Sequence, residues 1–265
     1  MELRQQALRV LAATDPREKA ALARSLFADP LQYSLAPTAP PAHGLLPGRP
    51  ERPRLVHPAR VPRRSPHSPQ GLAALLHAIA HIEFNAINLA CDAAWRFDGM
   101  PPAFYLDWVR VAAEEAEHFS LLADHLASLG CAYGDFDAHD GLWSMCEQTG
   151  DDVVARMALV PRTLEARGLD ATPQIQEKLR RVGSPAAQRA VEILDTILRD
   201  EVGHVAIGNR WYRWLCEQRG LDPVAHDAAL VERHRAPRLH PPFNAEARRR
   251  AGFTDEELDR LARPG

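Results

Sequence analysis

Apolar positions in this chain recur at three- and four-residue intervals over long stretches, the signature of helices with one buried face. The spacing predicts helices over residues 2–13 and 16–28, then about 68–94, 101–130, 151–168 and 184–220. Shorter ones are expected after Asp222-Pro223 and near Thr254-Asp255-Glu256. Several starts carry an Asp-Pro or Ser-Pro pair: Asp15-Pro16, Ser68-Pro69, Ser184-Pro185 and Asp222-Pro223. The Asp or Ser side chain accepts from a free N–H of the first turn, and proline occupies the position that needs no N–H. Gly130 is the expected stop of the second long helix, with further ends near Gly168 and Gly220. Residues Tyr133 to Gly141, rich in Asp and Gly, read as a loop, and the tail around Pro237, Pro241 and Pro242 as irregular chain. The expected fold class is all-α.

Residues 30–69 break the pattern. They hold eleven of the 22 prolines, which rules out a regular helix or a central strand. Six arginines lie between Arg49 and Arg64. The segment reads as a solvated linker, or as a basic strap that contacts an anionic partner or a neighbouring subunit. Leu45, Leu46, Leu55, Val56 and Val61 offer apolar anchors, so residues 45–66 are expected to lie along the helices. Three regions follow: 1–67 with N-terminal helices and the Pro/Arg-rich strap, 68–220 as a four-helix bundle, and 221–265 as a C-terminal extension packed on it.

Candidate chemistry sits on the long helices. Glu115-Ala-Glu-His118 and Glu201-Val-Gly-His204 are two copies of Glu-x-x-His. Residues three apart share a helix face, so each copy aims a carboxylate and an imidazole at one point. Glu83 and Glu165 are lone glutamates on the other two helices. Counted from the predicted starts Pro69, Pro101, Asp151 and Pro185, all four glutamates lie at a depth of about 21–24 Å at 1.5 Å per residue. Glu83 shares its stripe with Leu76, Ile79, Ile87 and Ala90, and Glu115 with Trp108, Val111, Ala112 and Leu122. Glu201 shares one with Leu194, Ile197, Val205 and Gly208. Buried glutamates are costly unless paired or bound to a metal, and one lone Glu on each of two helices plus Glu-x-x-His on each of the other two is a di-metal ligand set. An acid precedes each motif: Glu114 is expected beside His204 and Asp200 beside His118, each accepting a ring N–H. Arg162 lies one turn from Glu165 and reads as a support beside the ligands or as the ion-pair partner that would replace Glu165's role as a ligand. Glu192, far along the axis from Glu201, is expected to be exposed. His77 and His81 are expected to support the ligands or lie at the surface.

Composition narrows the classes. Net charge is −3, so no overall basic field points to nucleic acid. Cys91, Cys131, Cys146 and Cys216 are scattered without a Cys-x-x-Cys, which argues against a disulfide framework or a zinc site. No run of about 18 uncharged apolar residues is present to span a membrane. The N-terminus, Met-Glu-Leu-Arg-Gln-Gln, lacks a secretion pattern, so a cytoplasmic location is expected.

The chain resembles the ferritin-like superfamily, and within it a bacterial family of ferritin-like di-iron proteins without an assigned reaction. The resemblance is carried by His77-Ala-Ile-Ala-His81-Ile-Glu83, Glu114-Glu-Ala-Glu-His118-Phe and Ala138-His-Asp-Gly-Leu-Trp143. It continues through Ala155 to Asp170, Asp200-Glu-Val-Gly-His204 to Trp211, and Pro241-Pro-Phe-Asn244. It implies a ferritin-like four-helix bundle and the ligands Glu83, Glu115, His118, Glu165, Glu201 and His204, holding two iron ions, with manganese as the other candidate. A more distant similarity is to tRNA-hydroxylating di-iron enzymes, which share the ligand order.

Three classes of function follow. The first is an O₂- or peroxide-dependent oxidoreductase or hydroxylase. Without a Cys-x-x-Cys electron-transfer module it needs an external electron donor, and its substrate is a small molecule or tRNA-like. The second is iron binding, storage or detoxification, and the third a helical scaffold without catalysis. A homodimer is compatible with each. Asn209 to Tyr212 read as lining an access channel or as helix packing.

Overall fold

The computed structural model describes residues 1–29, 32–62 and 65–262; Arg63 and Arg64 of the Pro/Arg segment lie outside them. Among the described residues the chain is helical with no strand, and it divides into two compact units. One comprises Met1–Trp143 with Val182–Ile193, the other Ser144–Arg181 with Leu194–Gly265.

In the first unit, α1 (Leu3–Ala12) and α2 (Pro16–Ala28) pack on two long helices, α3 (Pro69–Arg96) and α4 (Pro102–Ser128). The starts obey the expected chemistry. Asp15 accepts from Glu18 N at 2.8 Å, and Ser68 Oγ from Gly71 N at 3.1 Å. Gly130 ends α4 with φ +73°, a conformation that glycine adopts without strain, and Cys131 N returns to Leu126 O at 3.0 Å. Helix α3 is apolar and long enough to pass a membrane-span test, yet 78% of its apolar window is buried inside the fold. It is a core helix.

The Pro/Arg segment does pack on this unit, with Leu46, Val56 and Val61 of its expected apolar anchors half-buried but Leu45 and Leu55 exposed. Leu45 is 95% exposed and Leu55 39%. Polar contacts hold the strap as well. Gly48 N donates to Leu11 O at 2.8 Å, and the buried Lys19 ammonium donates to Leu11 O, Gly48 O and Asn88 Oδ1. Val56 N donates to Ala138 O at 2.8 Å, while Arg49–Asp140 and Arg54–Asp137 ion pairs at 2.8 and 2.6 Å fix the strap to the 133–140 loop. Proline removes backbone donors, so only the few remaining N–H groups can anchor such a segment.

The second unit departs from expectation in three places. Residues Gly141–Gln148 form a helix, α5, which starts within the first unit. The next helix does not end near Gly168. Helix α6 (Val153–Leu159) passes through a π-helical turn (Val160–Glu165) into α7 (Ala166–Val182). Ala166, Leu169 and Leu179, together with the buried polar Thr172 and Gln176, continue the buried face past Gly168, and this burial outweighs the cost of about 1 kcal/mol for glycine inside a helix. The third departure is α10 (Ala245–Arg250), capped by Asn244, in a tail expected to be irregular. Helices α8 (Pro185–Arg219), α9 (Pro223–Arg233) and α11 (Asp255–Ala262) start where the sequence indicates.

The π turn has a local cause. Pro161 cannot donate to the carbonyl four residues back, and Thr163 Oγ1 instead reaches Ala158 O, five residues back, at 2.8 Å. The Pro161 ring lies against Gly208 of α8, where a Cβ atom would meet Pro161 Cβ at 2.6 Å. One apolar cluster of this unit comprises Ala166, Leu169, Val205, Ala247, Ala251, Phe253 and Leu258.

His77 is fully buried, not at the surface, and its Nε2 accepts the Gly134 N–H at 2.9 Å. Burial pushes its pKa down to about 4 from an ordinary 6.5. The unfolded chain therefore takes up a proton near pH 6.5 that the folded chain refuses until about pH 4, so stability falls as pH falls across that window. A His77→Gln variant, which keeps an acceptor but does not titrate, should lose less of its urea midpoint between pH 7 and 4.5 than the wild type; an equal loss would remove His77 as the cause.

Candidate metal centre

Two consecutive pairs of residues set the register of α3 against α4. Glu83 is followed by Phe84 and His118 by Phe119, and the two rings pack at a centroid distance of 5.7 Å. Tyr133 closes over both, 5.4 Å from Phe84 and 5.1 Å from Phe119. Its hydroxyl lies 2.9 Å from His81 Nδ1. This aromatic cluster, reinforced by His77 stacked on Tyr133 at 5.3 Å, holds the 133–140 loop beside the ligand-bearing turns. His77 and His81 are thus buried clamps for the loop. Helical spacing places them on the Glu83 helix, but it could not show that Tyr133 and Gly134, so far away in sequence, come back to meet them.

Glu83, Glu115 and His118 converge. All three are buried, with Glu115 and His118 at 0% exposure and Glu83 at 3%. His118 Nδ1 lies 3.2 Å from Glu115 Oε2 and 3.3 Å from Glu83 Oε2. Each residue offers one ligand atom, and these atoms lie within 4.8 Å of one another, so this buried Glu/His group could hold a metal ion. The donor set fits one. Carboxylate oxygens and an imidazole nitrogen suit iron, manganese or zinc, and two carboxylates forced together in an apolar interior call for a cation between them. Without one, burial and the neighbouring Glu115 charge push the Glu83 carboxyl well above the usual carboxylate range.

In the second unit, α8 carries the other motif. Glu201 and His204 are buried, with Glu201 Oε1 3.8 Å from His204 Nδ1. Glu165 is half-buried at the end of the π turn. Its helix starts at Val153, capped by Asp152, and changes winding before Glu165, so its depth does not follow from counting residues at one rise. Asp200 pairs with Arg199 at 2.9 Å, and Glu114 lies 3.9 Å from Arg110. Glu192 is 65% exposed and pairs with Arg189, as expected.

Arg162 has a different role from the one expected beside Glu165. Its buried guanidinium donates to Asn209 Oδ1 at 2.8 Å, to Asp227 at 2.5 Å and to Glu257. Both acids come from the C-terminal extension, and nothing in local spacing links them to Arg162. Asn209 also donates to Ala251 O at 2.8 Å, and the Tyr212 hydroxyl donates to Pro223 O at 2.7 Å. These residues of α8 are packing elements.

Known proteins place the chain in a family without giving it an activity. A Haemophilus influenzae protein described as "Uncharacterized protein" is 55% identical over 221 residues, covering 79% of this chain and 74% of that protein. No solved structure matches. Residues 12–259 match the model of one family, and the chain therefore belongs to the family described as "Protein of unknown function (DUF455)".

Proposed function

We propose that the protein is a carboxylate-bridged di-iron oxidoreductase, built on a ferritin-like four-helix bundle, that uses O₂ or peroxide and an external electron donor. The observation that carries this reading is the convergence of Glu83, Glu115 and His118 in a buried apolar setting. Glu201 is a fourth buried candidate ligand, and His204 and Glu165 complete the proposed set. Manganese is the alternative metal.

Two ferrous ions would supply reducing equivalents to O₂ or peroxide, and the protein's task is to hold the ligands and leave coordination positions open. The four glutamates balance the ionic charge. His118 and His204 give the centre two neutral donors. Asp200 and Glu114 are assigned to orient those imidazoles by accepting their ring N–H groups. The apolar walls, among them Phe84 and Phe119, exclude water. The sequence has no Cys-x-x-Cys for a one-iron electron-transfer module, which is why the reductant is assigned to a partner.

Protein stripped of metal and reloaded with ferrous iron should bind about two irons per chain and develop ferric absorbance on exposure to O₂. It should do so as a monomer or small oligomer; a hollow cage with a large mineral core would replace this reading with iron storage. Asp200→Asn should weaken iron binding by about 10- to 100-fold, and unchanged affinity would refute its assignment to His118. Glu83→Gln should lose iron stoichiometry yet raise the thermal midpoint of the metal-free protein by a few degrees, because it removes one of two adjacent buried carboxyls. A lower midpoint in that metal-free variant would show that the carboxyl is not held at a cost.

A further inference from the structure

The second unit contains a cavity of about 720 Å³ that the metal chemistry does not use. We propose that it binds a small organic anion, an oxyanion headgroup carried on an apolar body.

The charge balance of the lining is the first argument. Four arginines line the cavity, Arg162, Arg238, Arg248 and Arg260, against two carboxylates, Asp227 and Glu257. Arg162 engages both carboxylates, and Arg213 takes the second oxygen of Glu257 at 2.8 Å. No further carboxylate lines the cavity, so its cationic side chains outnumber its acidic ones. Arg260 donates to a neutral acceptor, Val224 O, at 2.8 Å and makes no ion pair among the described residues, adding only a weaker charge interaction with Asp227. Among the described residues Arg238 has no ion pair, and the neighbouring His240 adds a further donor at the rim.

Arg248 is the second argument. It is fully buried, held by Asp170 at 2.6 Å, and its guanidinium lies 5.2 Å from the Phe253 ring. Its Nη1 is buried with no acceptor. A buried guanidinium donor without an acceptor is costly, and a carboxylate or phosphate oxygen is its best complement.

The third argument is the rest of the wall. Val224, Val231, Leu239 and Leu261 line it together with Phe253, an apolar surface suited to a hydrocarbon chain or ring. The volume is within the range of small-molecule sites, about 300–1,000 Å³. Arg162 and Thr163, in the π turn that ends at Glu165, also line the cavity.

Calorimetric titration of the full-length, metal-free protein tests the proposal with octanoate and octyl phosphate as probes. Octanol is the uncharged control and inorganic phosphate the headgroup control. At least one of the two probes should saturate a single site per chain, with octanol and phosphate each tenfold or more weaker, the scale of a hydrogen bond to a charged group. The more strongly bound probe identifies the headgroup. Ala228→Trp, which fills the cavity from α9, should abolish binding. The double variant Arg238→Ala/Arg260→Ala, at exposed rim positions, should weaken binding tenfold or more at an unchanged unfolding midpoint. It decides the question if the tryptophan variant does not fold. Absence of binding by both probes, octanol binding as tightly as octanoate, or full affinity in either folded variant would overturn the proposal.

Discussion

Burying two carboxylates beside one imidazole is the constraint around which the first unit is organised. Glu83 and Glu115 repel each other in an interior that cannot screen them, and contact with His118 offsets only part of that cost. An arrangement of this kind persists only if the surrounding packing over-determines it. Here the long helices α3 and α4 do so, together with the Phe84–Phe119–Tyr133 cluster immediately beside the ligand positions. The free energy of apolar packing is used to hold polar groups where a cation can exploit them.

Arg162, in the second unit, shows buried charge handled in the opposite way. Arg162 is a deeply buried cation, yet Asn209, Asp227 and Glu257 satisfy it, and Tyr212 and Phe253 lie 4.9 and 5.2 Å from its guanidinium. It ties the π turn to α8, α9 and α11 and needs no outside ligand. The contrast separates the two kinds of buried ion. One is compensated within the fold and organises it, and the other is left for something to bind.

Much of this was legible in the sequence because it is local. Caps such as Ser68 and Asp222, the stop at Gly130 and the common face of Glu115 and His118 all follow from helical periodicity and from which residues satisfy free backbone groups. What escaped was long-range or depended on departures from regular winding. Hydrophobicity suggested that Leu45 and Leu55 anchor the strap, whereas backbone hydrogen bonds and arginine–aspartate pairs do. Helical spacing offered Arg162 only its neighbour Glu165 as a partner, whereas its acidic partners lie 65 and 95 residues away. A stop near Gly168 was expected because composition was weighed above the apolar stripe that runs on through Leu169 and Leu179.

The contact between Pro161 and Gly208 joins two positions 47 residues apart into a single steric unit. The proline makes the turn wind wide, and the missing side chain on α8 leaves room for its ring. Neither residue is replaceable alone. A side chain at 208 collides with the ring, and a smaller residue at 161 leaves a void and restores the lost backbone donor, favouring ordinary α winding. A change at either position therefore acts on the same turn, the one that determines where Glu165 stands.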